Sequence, residues 1–160
     1  MNGITYVRGD ATAPRGEGVR VIAHVCNDVG GWGRGFVRAV SRRWPEPEAA
    51  FRQWHRERER NDFGLGAAQF VQVGPELWVA NLVGQRGIRT ARSTAVPVRY
   101  EAIDTALGLL AGKAAALGGS VHMPRIGCGL AGGTWDRVEP LVVRRLLERR
   151  IPVTVYDFAA

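Results

Sequence analysis

The chain has 160 residues, 46% hydrophobic and 23% charged, which suits one ordinary domain with a buried core. No apolar run approaches the ~20 residues a membrane span requires. The opening Met1–Tyr6 stretch lacks the charged-then-apolar pattern of a secretory signal, so the expectation is a cytoplasmic protein with no membrane partner. The formal charge is +7, carried by 22 basic against 15 acidic residues, and Lys113 is the only lysine. A basic balance favours anionic partners such as nucleic acid or a phosphorylated metabolite; a general habit of using arginine explains it equally well. Cys26 and Cys128 make no disulfide framework, and His24, His55 and His122 are too dispersed to complete a zinc site with them. Neither a metal nor a cofactor is expected.

In chain order, Ile4–Arg8 alternates as a first strand and Val19–Val25 is a β-branched run suited to a buried one. A glycine-rich stretch follows, from Asn27 and Asp28 through Gly35, and leads into a helix from Phe36 to about Trp44. Pro45 and Pro47 break it, and a charged helix is expected from Pro47 to Arg60. Ala68–Val73 and Leu77–Val83, joined by Gly74-Pro75, predict an antiparallel hairpin. Gly84–Val98 predicts a long polar loop containing Arg86, Arg89 and Arg92.

Tyr100–Leu117 carries one apolar stripe through Ile103, Ala106, Leu107, Leu110, Ala114 and Leu117, and Gly118-Gly119 ends it. Val121–Pro124 reads as a short strand before a second glycine-rich loop, Arg125–Gly133. A helix follows through Val138, Leu141, Val142 and Leu146, with Pro140 obscuring its start, and Val153–Phe158 is the closing strand. The pattern predicts one α/β domain over 1–160, a mixed sheet with helices on both faces.

Each glycine loop follows a strand and precedes a helix. Backbone amides exposed there, with a helix N-terminus behind them, form an anion site. Two such loops suggest a diphosphate gripped from both sides. The first lacks the Gly-Lys-Ser/Thr of a P-loop and the spacing of dinucleotide-fold glycines.

On these residues the sequence resembles the macrodomain family over essentially its whole length. Ile4–Thr12 is similar to that family's first strand and Gly-Asp signature, and Met123–Leu130 is the most diagnostic piece. It resembles a branch containing the terminal ADP-ribose glycohydrolase, ADP-ribose-1″-phosphate processing enzymes, a chromatin-remodeller macrodomain and a DNA ADP-ribosyl glycohydrolase antitoxin. Val153–Tyr156 also fits.

The resemblance implies a three-layer α/β/α macrodomain with a mixed central sheet, and ADP-ribose as ligand. Asp10 would accept a hydrogen bond from the adenine amino group beside the Ala11 amide, or cap a turn. Tyr156, or the adjacent Asp157-Phe158 pair, would border the ring. Gly33, Arg34, Gly35 and Phe36 would hold the diphosphate and distal ribose from one side. Ile126, Gly127, Cys128, Gly129, Leu130 and Ala131 would hold them from the other, Cys128 through its backbone amide and not its thiol. Gly84 would lie at the distal-ribose end, where a Gly84→Glu substitution is expected to block the ligand.

One branch member uses a lysine nucleophile assisted by an aspartate. The corresponding positions here are Gln85 (Gly84 if the register slips) and Ala131, which cannot do that chemistry. The expected activity is therefore hydrolysis of ADP-ribose from glutamate-linked protein or thymidine-linked DNA by a bound water. Asn27, Asp28 or Gln85 would orient that water, with Asp136 as a further carboxylate near the second loop. The alternatives are a non-catalytic ADP-ribose reader and an ADP-ribose-1″-phosphate phosphatase. The expected partners are ADP-ribose, ADP-ribosylated protein or ADP-ribosylated DNA, bound by a monomer.

Overall fold

The computed structural model describes residues 3–88 and 96–158; Arg89 and Arg92 lie outside them. Six strands form one sheet: β1 (Thr5–Arg8), β2 (Arg20–Asn27), β3 (Ala68–Gly74), β4 (Leu77–Gln85), β5 (Ser120–Met123) and β6 (Val153–Asp157). Their spatial order is β1-β6-β5-β2-β4-β3. All neighbours are parallel except β3 and β4, whose short connection makes an antiparallel hairpin.

Strand alternation sends side chains into two cores. From β2, Val21 and Ala23 join Ala80, Leu82, Val121, Met123, Val153 and Val155 beneath α3 (Tyr100–Leu117) and α4 (Trp135–Arg145). Ile22 and Cys26 face the other way with Val79 and Val83, under α1 (Phe36–Arg43) and α2 (Glu46–Arg56). Phe51 and Trp54 of α2 fill that second core. The result is three layers, α/β/α. Among the described residues no helix is long and apolar enough to cross a membrane.

The α3 stripe widens to Ala102, Ile103, Ala106, Leu107, Leu110, Ala111 and Ala114 on the buried face. Gly118 ends the helix in the left-handed conformation, φ 63°, its amide returning to Ala114. Pro140 lies inside α4, its exposed position sacrificing a hydrogen bond on the solvent side. Three boundaries differ from expectation. The charged helix stops at Arg56 and tightens to a 3-10 turn at Arg58–Arg60. The second strand runs on to Asn27, and β4 continues through Gly84 and Gln85, so the expected loop begins two residues late. Asn27 and Gln85 become cross-strand partners at the paired ends of β2 and β4.

The α3–α4 packing is tied at its edge by Asp104, which accepts from Arg144 at 2.9 Å and Arg145 at 2.8 Å. The Arg145 hydrogen bond, opposed by partial burial and reinforced by Arg144, pulls the Asp104 carboxyl down to about 2. A depressed carboxylate stabilises the fold above its unfolded pKa, roughly 4, and that contribution fades as pH falls toward the folded value. Asp104→Asn should therefore flatten the acid limb of the stability curve between about pH 4 and 2. Denaturant unfolding at fixed pH tests this, and an unchanged acid limb would show that the cluster contributes nothing.

Candidate functional site

The parallel strands all present their C-terminal ends to one edge of the sheet, and a groove runs along that edge in three connected cavities. The first, about 300 Å³, is lined by Asp10, Ala11, Phe36, Arg42, Tyr156 and Phe158 among others. The middle one, about 220 Å³, shares Gly35, Phe36 and Pro124 with it and adds the second glycine loop. The last, about 540 Å³, shares Val25, Arg34, Val37, Gln85 and Leu130 with the middle cavity and reaches Asn27, Gly33 and Ile88.

At the first end, Asp10 both caps a turn and faces the cavity. One carboxylate oxygen accepts from the Thr12 amide and hydroxyl at 2.8 and 2.7 Å, and the other lies 3.7 Å from Arg43. Burial would raise this carboxyl, but Thr12 and Arg43 together hold it below the usual carboxylate range. Tyr156 is buried, its hydroxyl accepting from the Arg15 amide at 2.8 Å and lying 2.7 Å from His122 Nδ1, so its ring is a fixed wall. Phe158, 74% exposed, is the aromatic side chain at the rim.

The middle of the groove is built from main chain. Gly35 caps α1 at φ 79°, ψ −139°, a conformation that side chains disfavour. No side chain caps this helix and its first turn carries no acid. The first-turn amides of Phe36 and Val37 thus lack intrahelical acceptors at the cavity wall. Across from them, the amides of Gly127, Gly129, Leu130 and Ala131 meet no acceptor among the described residues. Gly133 holds that loop closed through its bond to the Gly127 carbonyl, 2.7 Å; a Cβ there would lie 2.5 Å from the same oxygen. Leu130, 58% exposed, reaches toward Gly35 and brings the two loops together.

Under this cradle lies His24, which the sequence alone does not mark as a site residue. Asn81 donates its amide to Pro47 and Gln69, leaving its oxygen to accept from His24 Nε2 at 2.6 Å. Burial pushes the imidazole down to about 4, so it is neutral and its tautomer is set by Asn81. Its signal in sequence was the strand alternation that groups it with Ile22 and Cys26.

Asn27 shapes the first loop. Its Oδ1 accepts from Val29 at 3.0 Å and Gly31 at 2.9 Å, and its Nδ2 donates to the Gly31 carbonyl at 2.8 Å. Asp28 and Gln85 both hold the main chain of Gly87: the Asp28 carboxylate accepts from the Gly87 amide at 2.7 Å, and the Gln85 amide donates to the Gly87 carbonyl at 2.9 Å. Gln85 lines both the middle and the distal cavities.

Three expectations need correction. Asp28 lines none of the three cavities, because its carboxylate is turned to Gly87. Cys128 lines none either, and its amide closes a turn onto Arg125 at 3.3 Å. Gly84 faces α3: a Cβ there would lie 2.6 Å from Ile103 and 3.3 Å from Val25. Asp136 sits exposed in the first turn of α4, a position that favours acids on helix-dipole grounds.

No family model matches the sequence. A macrodomain protein from Streptomyces coelicolor is 67% identical and superposes with a TM-score of 0.88, the match covering 98% of this chain and 99% of that one. This chain belongs to the macrodomain family. As a macrodomain it is also 32% identical over 165 residues to the Chromodomain-helicase-DNA-binding protein 1-like of Mus musculus. It spans 97% of its own length in that match but only 18% of the mouse protein. An ADP-ribose 1″-phosphate phosphatase from Lodderomyces elongisporus is 28% identical over 153 residues, 87% of this chain and 90% of that protein. Thermosipho africanus DarTG, in complex with ADP-ribose, shares the macrodomain fold at TM-score 0.76 with 21% identity, over 99% of this chain and 42% of that one.

Two substitutions separate the groove from its supports. Gly84→Ala should lower stability by about 1–3 kcal/mol through overpacking against Ile103, measured by denaturant unfolding; wild-type stability would show that this close approach is relieved at no cost. Asn27→Ala should speed hydrogen exchange at the Val29 and Gly31 amides while leaving the α3 core protected. Unchanged exchange would mean that the glycine loop holds its shape without the side chain.

Proposed function

We propose that this macrodomain binds ADP-ribose along the groove and hydrolyses the bond joining its distal ribose to an acceptor. Adenine lies in the Asp10 and Tyr156 cavity, the diphosphate between the two glycine loops, and the distal ribose beside Asn27 and Gln85. The observation that carries this reading is the pair of facing, acceptor-free amide clusters midway along a groove continuous from one end to the other. Such amides demand an anion, and the cavities on either side allow it to be the centre of a dinucleotide-sized ligand. The phosphatase relative acts on an ADP-ribose derivative, and the Thermosipho structure holds ADP-ribose itself.

The chemistry proceeds without a lysine. Lys113 lies 4.4 Å over the Trp78 ring, packed on the β3–β4 hairpin. Among the described residues no carboxylate lines the middle or distal cavity. Water attacks the anomeric carbon, and the bond from that carbon to the acceptor atom (oxygen in a glutamate ester, nitrogen in a thymidine base) breaks with its electron pair going to the acceptor. The water's proton balances the charge on the departing acceptor. Gln85, shared by the middle and distal cavities, orients that water. The loop amides and Arg34 hold the diphosphate against the charge that develops beside it. The acceptor is a protein glutamate or a DNA thymidine, and the protein acts as a monomer. The likeness to the Lodderomyces phosphatase supports a second reading, removal of the 1″-phosphate.

The test is calorimetric titration with ADP-ribose, then incubation with glutamate-linked, thymidine-linked and 1″-phosphorylated substrates. The expected result is saturable binding and release of ADP-ribose from one of the first two. Gln85→Ala should then slow release by about 10²-fold with little change in KM. Release from the third substrate alone would establish the phosphatase reading, unchanged substrate in all three arms would leave a non-catalytic reader, and no binding heat would overturn the ligand.

A further inference from the structure

Three arginines stand at four-residue spacing along one wall of the groove: Arg34 just ahead of α1, then Arg38 and Arg42 on it. They have different surroundings. Arg34 lines the middle and distal cavities, where the diphosphate is placed. Arg38 donates to the Gly33 carbonyl at 3.3 Å. Arg42 lines the cavity assigned to adenosine, together with Ala39, Pro124, Tyr156 and Phe158.

Two other arginines at that end are paired with carboxylates. Arg43 is held by Thr12 and Asp10, and Arg125 by Asp157 at 2.7 Å. Asp10, the one acid lining the cavity, is drawn to Thr12 and Arg43. Among the described residues Arg42 forms no ion pair with any carboxylate. A free guanidinium therefore faces a pocket whose assigned occupant, adenosine, is neutral. The two charges of ADP-ribose lie at its diphosphate, one cavity away, where amides and Arg34 already meet them.

We infer that Arg42 is a specificity-determining residue for an ADP-ribose that carries an additional phosphate on its adenosine ribose, at the 2′- or 3′-hydroxyl. The inference rests on the ADP-ribose reading of the groove and names the substrate class within it. A phosphate monoester brings close to two negative charges, and a guanidinium can meet two of its oxygens at once. A lysine could not present that fork.

Titrate the whole chain with ADP-ribose, 2′-phospho-ADP-ribose and 3′-phospho-ADP-ribose, and compare each phosphorylated ligand with ADP-ribose as a ratio of affinities. The expected result is a preference of about fivefold or more for one isomer, the upper range for a solvent-facing ion pair. The preferred isomer identifies the hydroxyl. Arg42→Gln should bring the ratio to about one, and Arg42→Lys should restore part of it. Arg38→Gln should leave the ratio intact. Equal affinities in the wild type, or a preference that survives Arg42→Gln, would overturn the inference. No binding of ADP-ribose itself would instead sink the reading on which it rests.

Discussion

The groove depends on the side chain of Asn27. Glycine-rich chain has no side chains with which to fix its own path, and the stretch from Val29 to Gly35 has to turn out of a buried strand and start a helix in a set direction. Asn27 supplies the missing constraint by mimicking a backbone pair: its side-chain oxygen accepts from two backbone amides and its side-chain amide nitrogen donates to a carbonyl. With the turn fixed, α1 begins with its amides at the cavity wall and no cap to satisfy them. The second loop is set in the same way by main chain alone, through the bonds of Gly132 to Gly129 and Gly133 to Gly127. Both loops spend their internal hydrogen bonds on shape and leave a separate group of amides for something outside the chain.

That division explains why the polar residues at the strand ends also serve the shape of the loops. Asp28 and Gln85 hold the amide and carbonyl of Gly87, bracing the chain beyond β4 against the first loop. Ile88 extends the brace, its side chain approaching Gly31 so closely that a Cβ there would lie 2.6 Å away. The Asp28 carboxylate points to the Gly87 backbone amide, 2.7 Å away, and lines neither the middle nor the distal cavity. Among the described residues no carboxylate or histidine lines the distal cavity.

Much of the architecture was legible because it follows from periodicity. The stripe on α3 and its glycine stop give Tyr100–Leu117 residue for residue, and the β3–β4 hairpin follows from two strand-like runs with Gly-Pro between them. Glycine in a sequence carries no sign of which face it serves. Gly84 reads as a loop residue, but it lies in β4 because Ile103 needs the space its side chain would fill. Cys128 sits in the diagnostic loop without lining the cavity, since a turn onto Arg125 directs its amide inward. His24 was overlooked for the converse reason: a single histidine in a strand acquires meaning only when Asn81, fifty-seven positions later, is placed beside it.

The sparing use of lysine then bears on how charge is distributed around the site. An ammonium is a point charge that can lose its proton when buried, whereas guanidinium stays charged and keeps its fork. The one lysine is withdrawn to the aromatic surface of Trp78 and Phe70, away from the groove. Among the described residues, the charge lining the middle and distal cavities is the permanent positive charge of arginine and the partial positive charge of amides. Neither acts as nucleophile or base at neutral pH, but both favour anions there. On the proposed reading, such a site contributes to hydrolysis by fixing the substrate and its water, and it leaves the bond-breaking step to the reactivity of the anomeric carbon and the quality of the acceptor as a leaving group. On that same reading, the acceptor's chemistry sets which ADP-ribosyl linkage the groove would open.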